Sequence, residues 1–450
     1  MSDRILNGLH GCTPEELYVA PTDPYLLQRL EWFRDQKLAL MMHYGPYSQI
    51  GMDASWSLSD GDADWSRSAV DWEADGETYR KQYTELAKTF NPVRFQPDKW
   101  AQFAQENGFK YLIFTTKHHD GFCMFDTQHT DYKITGPECP FRTHKYANIA
   151  KEVFDAFREK GIAIAAYFSK PDWNCPWYWA EGMEHPVAYD RNPTYDTEKY
   201  PELWERFAQF TKDQILELMQ AYGRIDILWL DGGQVNPQNK QDVHMSDIVA
   251  EARKTQPWLI IADRTVGGEN ENYITPELSV PDHAVNVPWE SCVTVGTQWG
   301  FQFDDVYKSS RELVHMLVQV VSRGGNLALN IGPQPNGELP ANALRELEGL
   351  GAWLRTNGEA IYATRPADTV QIGDVYYTKK ADALYAIRLL NADEVLPGTV
   401  TVPADRTVRT VTCLSTGETP AFTQDAAGVH ITLSGALSGK EYPAVAFRFD

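Results

Sequence analysis

The 450-residue chain has little positive charge. Lys and Arg total 41 against 62 Asp and Glu, a formal net charge of −21. A body this acidic repels nucleic acid phosphates and anionic membrane surfaces, so no nucleic acid and no membrane partner is expected. No uninterrupted apolar run approaches the roughly 18 residues of a membrane span. The first residues, MSDRILNGLHGCTPEEL, contain no apolar block of the signal type, and no secretory signal is expected. The six cysteines (Cys12, Cys123, Cys139, Cys175, Cys292, Cys413) include no CxxC pair, which disfavours a zinc knuckle or a redox dithiol. Scattered thiols of this kind point to a reduced, cytoplasmic protein. No GxGxxG follows the first strand-like segment, and no phosphate loop, GxSxG elbow or HExxH occurs, so the chemistries those motifs serve are set aside. Tryptophan is absent only from the C-terminal end: all 14 lie at or before Trp353.

What is present is ordinary globular material, 43% hydrophobic and 23% charged, which excludes a disordered chain. Up to residue 365, short apolar runs alternate with helical patterns. The runs are Lys37 to His43, Tyr111 to His118, Gly161 to Phe168, Ile225 to Asp231, Leu259 to Asp263 and Asn326 to Asn330. Ile149 to Lys160 and Pro201 to Tyr222 show helical periodicity between them. Continuous apolar strands alternating with helices mean a parallel sheet covered on both faces. This many units indicate an α/β fold, a (β/α)8-like barrel spanning residues 1–365. Residues 265 to 300 show little helical pattern, so the later half of the barrel is expected to be irregular. Residues 366–450 instead show period-two alternation broken by turns, as in Thr369 to Ile372, Val375 to Thr378, Tyr385 to Leu389 and Val429 to Leu433. That texture predicts a C-terminal antiparallel β-sandwich.

Each barrel strand ends in a polar residue of catalytic type. His43 ends the first, Lys117-His118-His119-Asp120 the second, and Tyr167 and Ser169 the third. Asp231 ends the fourth and Asp263-Arg264 the fifth, and the sixth is placed as ending at Trp289-Glu290. In barrel enzymes that end carries the active site. Carboxylates there suggest a glycoside hydrolase, in which one attacks the sugar and another acid protonates the leaving oxygen. A 12% aromatic content with 14 Trp fits a ring-lined sugar cleft.

Several blocks carry a family resemblance. They are Trp32-Phe-Arg-Asp-Gln-Lys37, Met42-His-Tyr-Gly-Pro-Tyr-Ser48, Thr116-Lys-His-His-Asp-Gly-Phe122 and Asp226-Ile-Leu-Trp-Leu-Asp-Gly-Gly233. They continue with Trp289-Glu290, Trp299-Gly-Phe301, Asn326 to Pro333, and Gly358 to Pro366. Through them the chain resembles the family 29 glycoside hydrolases, the retaining α-L-fucosidases, over roughly residues 25 to 370. The resemblance implies Asp231 as nucleophile. For the acid/base, Glu290 is the first choice, 59 positions after Asp231 (290 − 231), with Glu271 the alternative and Glu269 and Glu277 behind it. It implies His43, His118 and His119 as ligands of the sugar hydroxyls and Tyr167, Trp229 and Arg264 as further sugar contacts. Trp56 stands where the family packs a Trp near the fucose methyl. The family usually carries a Glu beside that Trp, and here Ala54 and Ser55 stand there, which relaxes the expected strictness for fucose. Trp65, Trp173, Trp177 and Trp179 are candidates for a leaving-group subsite.

The expected partner is therefore a fucosylated oligosaccharide or glycoconjugate, with a homo-oligomer left open. No metal and no organic cofactor is expected. Alternatives are the same chemistry on another L-galacto sugar such as an α-L-galactoside, a non-catalytic sugar-binding protein, or a metal-dependent hydrolase using the histidines and Asp231.

Overall fold

The computed structural model describes residues 11–59, 76–183, 189–404, 406–435 and 437–450. Seven parallel strands form one curled sheet: β1 (Leu38–Met42), β2 (Tyr111–Lys117), β3 (Ala163–Ser169), β4 (Ile227–Asp231), β5 (Ile260–Asp263), β6 (Glu290–Thr294) and β7 (Asn326–Ile331). Their order is β5-β4-β3-β2-β1-β7-β6. Helices α1 (Pro24–Gln36), α2 (Gly76–Glu85), α3 (Pro97–Glu106), α4 (Ile149–Glu159), α5 (Pro201–Ala221), α6 (Met245–Thr255), α7 (Ser310–Ser322) and α8 (Ala341–Asn357) accompany it. Local signals start several of them. Asp23 accepts from the Tyr25 N–H ahead of Pro24, Asn148 caps α4, and Ser309 with Glu312 makes a reciprocal capping box on α7. These pairs satisfy N–H groups that the first turn leaves without intrahelical partners.

Alternate strand residues face opposite ways. One set, including Ala39, Met41, Tyr111, Ile113, Ala165, Tyr167, Ile227, Trp229, Ile260, Ala262, Cys292 and Ala328, forms the interior of the barrel. The other set, including Leu40, Leu112, Phe114, Ile164, Leu228 and Ile261, packs in the larger cluster that holds the helices.

Among the described residues no hydrogen-bonded ladder joins β5 to β6. An extended segment runs between them instead. The Asn272 N–H donates to Ile261 O and the Ile274 N–H to Pro288 O, while Cys292 donates back to Pro276 O and Leu278 to Cys292 O. Tyr273 of this segment joins the interior cluster. The later half of the barrel is thus irregular, as the missing periodicity of residues 265 to 300 predicts.

The C-terminal residues form two antiparallel sheets. The five-stranded one comprises β8 (Arg365–Ile372), β9 (Val375–Lys379), β10 (Leu384–Leu389), β12 (Val411–Cys413) and β15 (Ala444–Phe449). The three-stranded one comprises β11 (Thr399–Val402), β13 (Phe422–Asp425) and β14 (Gly428–Thr432). Tyr377, Val400, Val402, Val429, Ile431, Val445 and Phe447 share one apolar core. The alternate residues Tyr376, Tyr385, Ile387, Ala444 and Ala446 join the cluster of the helices. Trp353 of α8 donates its indole N–H to Ala444 O at 2.9 Å. Among the described residues, no helix is long and apolar enough to cross a membrane.

Candidate active site

Asp231 is the last residue of β4, on the same face as Trp229. The strand can stop there because Gly232 takes a φ of +85°, and a Cβ at that position would lie 2.1 Å from Cδ of Pro171. Only glycine fits both conditions. The Asp231 carboxylate is held from several sides. Oδ1 accepts from Arg264 Nη1 at 2.9 Å and from the Gly232 N–H at 2.8 Å. Oδ2 accepts from the Tyr167 hydroxyl at 2.5 Å and lies 3.7 Å from His119 Nε2. Burial acts to raise the pKa of this carboxyl. The Arg264 charge, His119 and the Tyr167 hydrogen bond outweigh it and hold the group well below the usual carboxylate range. Its side chain remains 20% exposed, so an ionised oxygen is open to an incoming ligand.

Arg264 follows β5 and connects two carboxylates. Its Nη1 bonds Asp231, its Nη2 bonds Glu277 Oε2 at 2.7 Å, and its Nε bonds Thr275 Oγ1 at 3.1 Å. The guanidinium carbon lies 4.5 Å from the centroid of the Trp229 ring. That ring stacks on Tyr167 at 5.1 Å and 22°.

Three histidines wall the same pocket. Strand β2 ends at Lys117, so His118 and His119 are free of the strand's alternation, and both rings turn inward with centroids 4.2 Å apart. His43 meets His118 at 5.3 Å, Tyr167 at 5.3 Å and Trp299 at 5.1 Å. In each ring Nδ1 already has a partner. These are Asn330 Oδ1 for His43 at 2.7 Å, Ser55 Oγ for His118 at 2.5 Å, and Ser169 Oγ for His119 at 2.6 Å. Asn330 gives its amide N–H to Trp299 O, and Ser169 gives its hydroxyl to Pro171 O. Asn330 and Ser169 therefore accept from the Nδ1–H of His43 and His119, leaving each Nε2 as a bare acceptor. Burial pushes His43 and His119 down to about 4 and His118 well below its ordinary value. All three are neutral near pH 7, suited to hydroxyl groups rather than to anions.

Aromatic rings form the rim. Trp56 meets His119 edge-on at 5.3 Å and Trp173 at 5.8 Å. Trp173 stacks on Trp179 at 5.2 Å and 4°. Trp177 packs instead against Phe210, and Trp65 lies outside the described residues.

The structure corrects the placement of Glu290. This residue begins β6, pairing with Asn326, the first residue of β7, whereas Asp231 ends β4. It therefore sits at the foot of the barrel. It is fully buried, with Oε1 accepting from Trp229 Nε1 at 2.9 Å and Oε2 accepting from the Tyr111 hydroxyl. A carboxyl beneath the Trp229 ring is not at the rim where a glycosidic oxygen would enter. Trp289-Glu290 opens this strand rather than ending it, since the strand continues through Cys292, Val293 and Thr294. Glu271 is also placed elsewhere. It is 1% exposed and accepts from Thr13 Oγ1 at 2.6 Å and from the Gly267 N–H at 2.7 Å, so it ties down the loop after Arg264. Glu269 is exposed and holds Ser246. Glu277, placed with Glu269 behind Glu290 and Glu271 on sequence, is the acid that shares Arg264 with Asp231, and its side chain is 35% exposed. Trp299, Asn330, Ser169 and Ser55 join the site as partners of the histidines. Trp299 and Asn330 lie in blocks that carry the resemblance, Ser169 ends a strand, and Ser55 stands beside Trp56.

A model of the α-L-fucosidase family matches residues 15–359. Curated relatives include an α-L-fucosidase of Branchiostoma floridae, 28% identical over 420 residues, covering 88% of this chain and 87% of that one. The plasma α-L-fucosidase of Rattus norvegicus is 27% identical over 376 residues, covering 80% and 77%. Among solved structures, α-L-fucosidase isoenzyme 1 from Paenibacillus thiaminolyticus superposes with a TM-score of 0.77 at 28% identity, covering 94% of this chain and 99% of that one. The Thermotoga maritima α-fucosidase, solved with a mechanism-based inhibitor, gives 0.75 at 25% identity, covering 96% and 100%. With its barrel, its histidine-walled pocket and a family match over most of its length, the chain belongs to the α-L-fucosidase family.

Proposed function

We propose that the protein is a retaining, exo-acting α-L-fucosidase in which Asp231 is the nucleophile and Glu277 the acid/base. The observation that carries this is the Arg264 guanidinium, bonded at once to Asp231 and Glu277. One guanidinium and two hydrogen bonds separate the carboxylates, a span compatible with the about 5–5.5 Å of retaining enzymes. Asp231 attacks C1 of the fucoside, the C1–O bond to the leaving group breaks, and Glu277 gives its proton to that oxygen. Water then adds to C1 of the fucosyl ester, Glu277 takes the water's proton, and the Asp231 carboxylate is released. His43, His118 and His119 take the fucose hydroxyls, Tyr167 and Arg264 orient the nucleophile, and Trp56 covers the sugar. The substrate is a terminal α-L-fucoside of an oligosaccharide or glycoconjugate. All six cysteines are free, which supports a reducing, cytoplasmic setting.

The test is hydrolysis of 4-nitrophenyl α-L-fucoside by the protein and by Asp231→Ala. The variant is expected to lose activity, and added azide is expected to restore turnover with a β-fucosyl azide as product. Wild-type turnover by Asp231→Ala would remove the nucleophile assignment, and wild-type inertness towards α-L-fucosides would remove the function.

A further inference from the structure

Glu290 is a buried acid for which the reaction has no direct use, and its contacts lead to the nucleophile. Oε1 accepts from the indole N–H of Trp229 at 2.9 Å. Oε2 accepts from Tyr111, whose hydroxyl is also approached by Asn326 Nδ2 at 3.3 Å. Trp229 is 1% exposed, and two of the groups that meet its ring also touch Asp231. Tyr167 stacks on it and donates to Asp231 Oδ2. Arg264 lies over it and donates to Asp231 Oδ1. A flat ring in a packed interior has one rotation that satisfies its N–H, and a buried indole N–H without an acceptor is costly. The acceptor on Glu290 therefore selects the plane on which Tyr167 and Arg264 rest.

We infer that Glu290 is a positioning residue which, through Trp229, sets the orientation of the two side chains that hold Asp231 for attack. This rests on Asp231 being the nucleophile. The chain of contacts is Glu290 to Trp229, Trp229 to Tyr167 and Arg264, and both of these to Asp231. A carboxylate suits the foot of the chain because it can accept from Trp229 and Tyr111 together. A glutamine can do nearly as well. Its Oε1 accepts from Trp229 while its amide donates to the Tyr111 oxygen, whose proton turns away. An apolar side chain cannot.

The variants Glu290→Gln, Glu290→Leu, Trp229→Phe and the double Glu290→Leu/Trp229→Phe separate this from other roles. With 4-nitrophenyl α-L-fucoside, Glu290→Gln is expected to keep kcat within about threefold. Glu290→Leu and Trp229→Phe are each expected to lose on the order of 10–100-fold in kcat, the scale of a small misplacement of a reacting group. The inhibition constant for free L-fucose, which the histidines hold, should weaken much less than kcat falls. The double variant should be no worse than the poorer single one, because both break the same link. An inactive Glu290→Gln restored by azide would make Glu290 the acid/base and overturn the inference. Losses that multiply in the double variant would overturn it too, as would a weakened fucose constant in proportion to kcat. If Glu290→Leu does not fold, Trp229→Phe decides alone: an unchanged kcat overturns the link. A wild-type protein inert towards fucosides would instead sink the proposed function, a result no variant here produces.

Discussion

Removing Glu277 separates the acid/base role from the nucleophile's support. Glu277→Ala deletes a carboxyl that is 35% exposed and bonded to Arg264, which keeps its bond to Asp231. The stability change should be small, under about 1 kcal/mol for a partly exposed ion pair. The kinetic change should not be. A general acid or base contributes roughly 10²–10⁴-fold, or about 2.7–5.4 kcal/mol at 1.36 kcal/mol per decade. A sugar leaving group needs the proton in the first step, so a fucosylated disaccharide should show the upper end of that loss. A 4-nitrophenyl group leaves readily without it, so that substrate should form the fucosyl ester quickly and hydrolyse it slowly, giving a burst of nitrophenolate. Azide, which needs no base, should then restore turnover and yield the α-fucosyl azide. The assay is stopped-flow release of nitrophenolate beside chromatographic release of fucose from the disaccharide. Disaccharide turnover by Glu277→Ala within about threefold of wild type, or a β-azide from it, would refute the assignment.

The histidines give a pH prediction. His43 and His119, pushed down to about 4 by burial, stay neutral acceptors until the pH falls to that value. L-fucose affinity should therefore be steady between pH 7 and pH 5 and decline as the pH passes through about 4. Imidazole NMR midpoints for these two near 6.5, the value of a free side chain, would contradict it. The remaining prediction concerns metal. His118, His119 and Asp231 offer ligand atoms within 4.8 Å of one another, but the Nδ1 atoms are taken by Ser55 and Ser169 and Asp231 already pairs with Arg264. Chelator treatment is expected to leave fucoside hydrolysis unchanged, and loss restored by added divalent metal would favour the metal-dependent reading.

Much of this was readable from residue order because parallel strands advertise themselves. Apolar runs such as Tyr111 to His118 are buried on both faces, and a polar residue at the end of each has nowhere to go but the rim. Asp231, Arg264 and the three histidines follow from that logic, helped by the block resemblance. Glu277 does not. It sits on a segment with neither the two-residue nor the 3.6-residue period, fixed by isolated backbone bonds to β5 and β6. The strand end on which Glu290 lies is not legible either, because an acid next to a Trp looks alike at either end of a strand. Ser169 shows as a strand-end polar residue, but the pairing of Ser55 and Ser169 with His118 and His119 carries no local signal, since the partners lie 63 and 50 positions away.

The unladdered seam between β5 and β6 has a consequence for how this barrel can vary. The strand of Asp231 is locked by neighbours on both sides, so its length and register are rigid. The segment that brings Glu277 to Arg264 meets β5 and β6 through isolated bridges, and a residue gained or lost there re-aims Glu277 while the β4 ladders keep the backbone of Asp231 in place. Since carboxyl separation decides whether a glycosidase retains or inverts configuration, the proposed acid/base on this segment makes its length a lever on stereochemical outcome. That seam is where an engineer would cut first.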